Sequence, residues 1–296
     1  MIGWRAANLW STSSNILSPA GERQDIGFIR EGKSMDNWAA EQAARIIWDT
    51  WQANQRVNGL PAECRPTSRQ EGYKVQSEVA RLSGQALCGW KIAATSQAGQ
   101  KHLGVDGPLA GRLFENRAFQ SGASVPMVNN LMKVAEAEFA FRMARDLPPR
   151  ASAYSMDEVL DAVASLHPAI EIPDSRYREF TKVGAAQLIA DNACASYFVL
   201  GPATGADWRR HDLAEHLVSA WVNGKLVRDG KGANVLGDPR LALAWIVNEL
   251  SVVGETLRAG HTVTTGTCVV PVEIAPGDHV VADFGLYGFA EAQLTP

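Results

Sequence analysis

The chain has no surplus of positive charge: among its 296 residues, 28 Lys and Arg stand against 32 Asp and Glu, a formal net charge of −4. Nucleic acids are bound largely by cations that release counterions from phosphates, so nucleic acid is not an expected partner. Cysteine is scarce too. Cys64, Cys88, Cys194 and Cys268 lie far apart, form no CxxC pair and have no histidine at zinc-finger spacing, which excludes a disulfide framework or structural zinc and suits the reducing cytoplasm. No apolar run approaches the roughly 18 residues of a membrane span, and the opening MIGWRAANLWSTSSNILSPAG lacks the continuous hydrophobic stretch of a signal peptide, so no membrane partner is expected. Histidines form no HxxxH or HExxH pattern, and GKGANVLG and VDGPLAG match neither a P-loop nor a dinucleotide fingerprint. Histidine-ligated zinc and a nucleotide cofactor are thereby disfavoured.

What is there is a globular composition, 46% hydrophobic, with enough apolar material to build a core without covalent staples. Residues 1–34 mix Ser, Gly, Asn and isolated Trp without a period and are expected to be a dispensable, non-core extension. Residues 35–115 read as a helical amino-terminal region. Apolar positions Trp38, Ala39, Ala43, Ile46, Ile47 and Trp51 have helical spacing, Ser68 and Glu71 form a capping box, and LCGWKIAAT, carrying Lys91, reads as a strand before a short helix from Gln97 to Leu103 and a VDGPLAG turn.

Residues 116–296 read as a β core, with strands at Val134–Met143, Ala169–Ile172 and Ser196–Leu200, and a hairpin at Asn223-Gly224. Two helices interrupt it, one capped by the Ser155–Glu158 box, the other opening at Asp238-Pro239 and ending before Gly254. Grouped strands with a few long helices predict an α+β fold.

Alternation in VAEAEFAFRM puts Glu136 and Glu138 on one strand face and Ala137, Phe139 and Phe141 on the other. Adjacent carboxylates either form a solvated face or share a hard divalent ion that relieves their repulsion. Glu171, in PAIEIPDSR, has apolar neighbours on both sides, and a buried carboxylate must pair, either with Arg176 or Arg178 or with a metal. Three such acids supply half an octahedron for Mg²⁺ or Mn²⁺ and leave positions for a chelating substrate.

The blocks GWKIAATS, AEAEFAF, PAIEIPDSR, ADNACASYFVLG and KGANVLGDPRLALAWIVNELSVVGETLRAG, in this order, resemble the 2-keto-4-pentenoate hydratase and 4-oxalocrotonate decarboxylase family of the fumarylacetoacetate hydrolase superfamily. The resemblance runs from about residue 35 to the end. It implies a mixed β-roll or sandwich core preceded by helices, a divalent metal on Glu136, Glu138 and Glu171, and an active-site lysine at Lys91. It also implies a 2-oxo acid or dienol substrate from aromatic meta-cleavage catabolism, and an assembly that is either a homo-oligomer or a complex with a related lyase subunit. Metal and ammonium together would stabilise the dienolate formed when a proton or CO₂ leaves. Asp191 and Asn192 match the family pattern and either bind loop backbone or contact substrate, while the hydroxyls of Thr95, Ser96 and Thr267 serve either the substrate carboxylate or the local turns.

The sequence departs from the family where hydratases read PD followed by an aromatic and Gly. Here Leu109 takes the acid's place, which weakens water activation and leaves Asp106 as a side-chain candidate for the base. Arg112, in the same segment, is either a surface arginine or a cation for the distal carboxylate of a dicarboxylic substrate. The default expectation is hydration of a 2-hydroxy-2,4-dienoate to a 4-hydroxy-2-oxo acid, with decarboxylation of a 2-oxo-3-enedioate as the nearest rival. Acylpyruvate C–C hydrolysis through His102 and a non-catalytic partner subunit are the remaining alternatives.

Overall fold

The structure, a computed structural model, describes residues 35–296, so the expected extension at 1–34 lies outside the described residues. Asp36 and Ser68 each accept a backbone N–H of the first turn that follows, which starts helices α1 (Asn37–Gln52) and α2 (Arg69–Ser83) where the sequence places them. The Glu71 carboxylate bonds the N–H groups of Met35 and Thr67, fastening the start of α1 to the start of α2. Together these helices bury Ala40, Ala43, Ile47, Val75 and Val79 with Phe114 and Ala190.

An eight-stranded sheet carries the site. Its strands are β1 (Leu87–Ala93), β2 (Leu109–Phe114), β3 (Ala118–Gln120), β5 (Val134–Met143), β6 (Val163–Ile172), β7 (Tyr197–Leu200), β10 (Thr262–Thr267) and β11 (Val272–Glu273), and they run β2-β1-β10-β5-β6-β7-β3 with β11 paired to β5. A second sheet orders β4 (Ala123–Pro126), β13 (Phe289–Thr295), β12 (His279–Asp283), β8 (Leu217–Val222) and β9 (Lys225–Lys231). Asn223 and Gly224 make the expected hairpin turn between β8 and β9, both at positive φ.

The first sheet curls on itself. Leu113 of β2 packs with Phe198 and Leu200 of β7, although four strands separate β2 from β7. Phe139 faces the other way and packs on Phe284, the residue that follows β12 of the second sheet, with ring centroids 4.8 Å apart. This is the α+β, mixed β-roll architecture that the sequence implied.

β1 and β2 belong to the same sheet as β5 and β6, so the strand that carries Lys91 and those that carry the three acids are built together. One expectation needs correction. The predicted VDGPLAG turn stops short, because Leu109, Ala110 and Gly111 are already fully buried strand. Among the connecting helices, α4 (Met156–Asp161) and α6 (Pro239–Val252) stand where the caps predict and α3 (Gln97–Leu103) at its expected range, while α5 (Ala185–Ala190) had no such signal.

Candidate active site

The strand period decides which side chains meet inside the curl. On β5 and β6, Glu136 lies directly opposite Glu171, and Glu138 is two residues further along the same face. On β1 and β2, Lys91 pairs with Gly111 and Ala93 with Leu109, so Leu109 shares the face of Lys91. Strands β10 and β5 stand between β1 and β6 in the order, yet the curl brings Lys91 Nζ to 3.0 Å from Glu171 Oε1. The three carboxylates converge, each offering an oxygen within 4.8 Å of the others. Lys91, Glu138 and Glu171 are 2%, 0% and 1% exposed, and Glu136 is half-buried.

This is an electrostatically unfinished cluster, with three acids around one cation. Burial, then repulsion from Glu171, pushes Glu136 up to about 7 despite the pull of Lys91. Glu138 is driven up further by burial and by Glu171 and Glu136. For Lys91, burial works against the charge, but Glu171 foremost, then Glu136 and Glu138, hold its ammonium above its usual range. Gly266 N–H donates to Glu138 Oε2 at 2.9 Å, whereas the buried Glu138 Oε1 and Glu171 Oε2 have no hydrogen-bond partner among the described residues. Orphaned carboxylate oxygens at this depth are costly, and a set of hard oxygen donors fits a hard divalent cation.

The structure separates the other candidates. Arg112 pairs with Trp90 and therefore points to the opposite face of the sheet from Lys91. Its guanidinium lies 4.6 Å over the Trp90 ring and bonds Ser77 Oγ at 2.7 Å and Glu255 Oε1 at 2.6 Å, so the cation expected for a distal carboxylate is spent in a scaffold contact. The Asp106 side chain is 89% exposed and lies 4.0 Å from Arg69, whereas Glu138 and Glu171 are buried. Ser96 is used as the cap of α3, accepting the Gly99 N–H. Thr267 sits opposite Glu138, but its hydroxyl donates to Val269 O at 2.7 Å.

Arg176 pairs with Asp191 rather than with Glu171. Asn192 binds the backbone of Arg112, in strand β2 rather than in a loop. His102 is exposed and packs edgewise against Phe180, with no carboxylate partner among the described residues. Sequence reasoning missed the Ala193 carbonyl, which accepts from Lys91 Nζ at 3.1 Å. No residue type signals a main-chain acceptor.

Comparison with known proteins identifies the family. A family model described as fumarylacetoacetate (FAA) hydrolase C-terminal matches residues 115–295. A 2-keto-4-pentenoate hydratase of Burkholderia vietnamiensis is 31% identical over 265 residues, covering 88% of this chain and 99% of its own. A 4-oxalocrotonate decarboxylase of Pseudomonas sp. strain CF600 is 32% identical over 219 residues, covering 72% of this chain and 81% of its own. Among solved structures, 4-oxalocrotonate decarboxylase from Pseudomonas putida G7, complexed with magnesium and adipate, superposes with a TM-score of 0.80 at 26% identity, over 88% of this chain and 99% of that one.

Proposed function

The chain belongs to the fumarylacetoacetate hydrolase family, and from that premise we propose that it is a divalent-metal-dependent lyase that hydrates a 2-hydroxy-2,4-dienoate to a 4-hydroxy-2-oxo acid in aromatic meta-cleavage catabolism. The observation that carries this reading is the buried convergence of Glu136, Glu138 and Glu171 on Lys91, with carboxylate oxygens left unpartnered. Glu136, Glu138 and Glu171 would hold Mg²⁺ or Mn²⁺, which would supply Lewis-acid stabilisation of the negative charge that develops on a 2-oxo acid. Lys91 supplies a second positive charge there, stabilises the dienolate, and holds or moves a proton at Nζ as the dienol becomes a conjugated ketone. Water then adds across C3 and C4.

Decarboxylation of a 2-oxo-3-enedioate is the second reading, and one residue favours it. Leu109 is fully buried on the Lys91 face, where an acid to activate water is expected in a hydratase. Loss of CO₂ uses the same electron sink and needs no activated water. The four cysteines are all free, which supports a reducing, cytoplasmic setting. No helix among the described residues is long and apolar enough to cross a membrane. We place the working form in a homo-oligomer, a point that mass measurement in solution decides.

The deciding experiment incubates the purified chain with Mg²⁺ or Mn²⁺ and a panel of mono- and dicarboxylic dienols, with separate assays for added water, CO₂ and pyruvate. A 4-hydroxy-2-oxo acid without CO₂ is expected. CO₂ release selects the decarboxylase, pyruvate from an acylpyruvate selects hydrolysis, and no turnover by the chain alone reduces it to a supporting subunit.

A further inference from the structure

Three consecutive non-glycine residues, Asn192, Ala193 and Cys194, sit in the left-handed region with φ of 56°, 49° and 61°. Each such residue costs about 1–2 kcal/mol, so a run of three persists only where the surroundings enforce it. Here they do. The Asn192 side chain clamps onto β2 in both directions, its Oδ1 accepting from Arg112 N–H at 2.7 Å and its Nδ2 donating to Arg112 C=O at 2.9 Å. Behind it, Asp191 is fixed by Ser175 and Arg176, and Cys194 C=O accepts from Asp174 N–H at 2.9 Å.

The turn presses against the site. A Cβ on Gly111 would stand 2.4 Å from Asn192 O and 3.0 Å from Lys91 Cδ, so only glycine at that position lets β2, the turn and the lysine stem meet. The result of this crowding is one contact of chemical interest, the Ala193 carbonyl 3.1 Å from Lys91 Nζ, which sets the ammonium between that carbonyl and Glu171.

We propose that Asn192 is a positioning residue for the lyase reaction: through its two bonds to Arg112 it holds the strained 192–194 turn so that the Ala193 carbonyl aims the Lys91 ammonium into the carboxylate cluster. The proposal rests on the role assigned to Lys91 above. It differs from a merely structural role because its effect must pass through Lys91 and must spare the carboxylates that hold the metal.

The test is a double-mutant cycle of Asn192→Ala and Lys91→Met, read as kcat, KM and, by calorimetry without substrate, Mg²⁺ affinity. Asn192→Ala alone is expected to lower kcat roughly 10- to 100-fold, with KM and Mg²⁺ affinity within about threefold of wild type. In the Lys91→Met background the same substitution should change kcat by less than about threefold, because the group it positions is gone. Should Asn192→Ala fail to fold, Asn192→Gly, which accepts positive φ without strain but lacks the clamp, is read in its place and is expected to show the same kcat loss. Wild-type kcat in Asn192→Ala or Asn192→Gly, or an equal loss with and without Lys91, overturns the proposal. A Lys91→Met enzyme with wild-type turnover instead removes the functional reading on which it rests.

Discussion

Two buried charged clusters lie on either side of the 192–194 turn, and they are finished in opposite ways. Around Asp191, the carboxylate accepts from Ser175 Oγ at 2.7 Å, from Arg176 N–H at 3.0 Å and from the Arg176 guanidinium, which also bonds the carbonyls of Asp174 and Ala195. Charge and hydrogen-bonding capacity close on themselves there. Around Glu138, three acids share one ammonium and leave oxygens without partners. Apart from the half-buried Glu136, the members of both sets are hidden from water, so burial alone does not distinguish them. The difference is saturation: a closed set holds the chain together, and an open one is built to receive a cation and its ligand.

The largest effect should come from breaking the closed set. Asp191→Ala leaves the Arg176 guanidinium buried without its carboxylate, and such a loss costs about 3–5 kcal/mol, a large part of the stability of an ordinary domain. Urea unfolding should show it as a large fall in midpoint, and a shift worth less than about 1 kcal/mol would remove the structural role assigned to this pair. The open set should respond the other way. Glu138→Gln replaces a carboxyl that burial and the neighbouring acids already keep from ionising, and leaves an oxygen for the Gly266 N–H, so the metal-free protein should unfold at the same or higher urea concentration while turnover falls on the order of a hundredfold. If stability drops and activity survives, the two clusters have been assigned the wrong way round.

The open cluster was largely legible in the sequence because it rests on periodicity. Glu136 and Glu138 are two residues apart on a strand, and an acid with apolar neighbours at Ile170 and Ile172 had to be buried. Lys91 needed the family resemblance, because a lysine between Trp90 and Ile92 reads equally well as surface. The closed cluster was not legible, since either Arg176 or a metal satisfied the charge rule for Glu171, and only tertiary packing gives Arg176 to Asp191. The same limit hid the left-handed turn, for Ala193 and Cys194 carry no sequence mark of positive φ. Capped helices and the hairpin were readable because their signals are local, whereas the reach of β2 back to Leu109 depends on pairing with β1.

Metal and pH sharpen the comparison further. In the metal-free protein, Glu136 titrates at about 7, above the ordinary carboxylate value, so the folded state holds a proton that the unfolded chain releases nearer 4.5. Its contribution to stability is therefore present below about 4.5 and is lost as pH rises through about 7. A divalent cation held by the three acids would replace that proton. Added Mg²⁺ should raise the melting temperature little at pH 5.5 and more at pH 8, approaching about 2.7 kcal/mol of stabilisation when the metal is at a hundred times its Kd. Scanning fluorimetry at the two pH values checks this, and a metal-induced shift that is larger at pH 5.5 contradicts the sign.

The smallest effect concerns the two faces of the β1–β2 pair, which carry Lys91 on one side and the Trp90–Arg112 contact on the other. Arg112 is nearly buried and bonds Glu255, whose side chain is a third exposed, so that pairing is screened on one side and contributes less than an enclosed ion pair. Its stacking on Trp90 and its bond to Ser77 add modest increments. Arg112→Ala should thus cost about 1–2 kcal/mol of stability in urea, and its main-chain groups, which bind Asn192, are unchanged by the substitution. Because the guanidinium points away from the cluster, kcat/KM for mono- and dicarboxylic dienols should change by the same factor. A selective loss of roughly ten- to a hundredfold on the dicarboxylic substrate is what a broken charge-assisted contact with a distal carboxylate would give, and it would show that Arg112 turns to the Lys91 face when substrate binds.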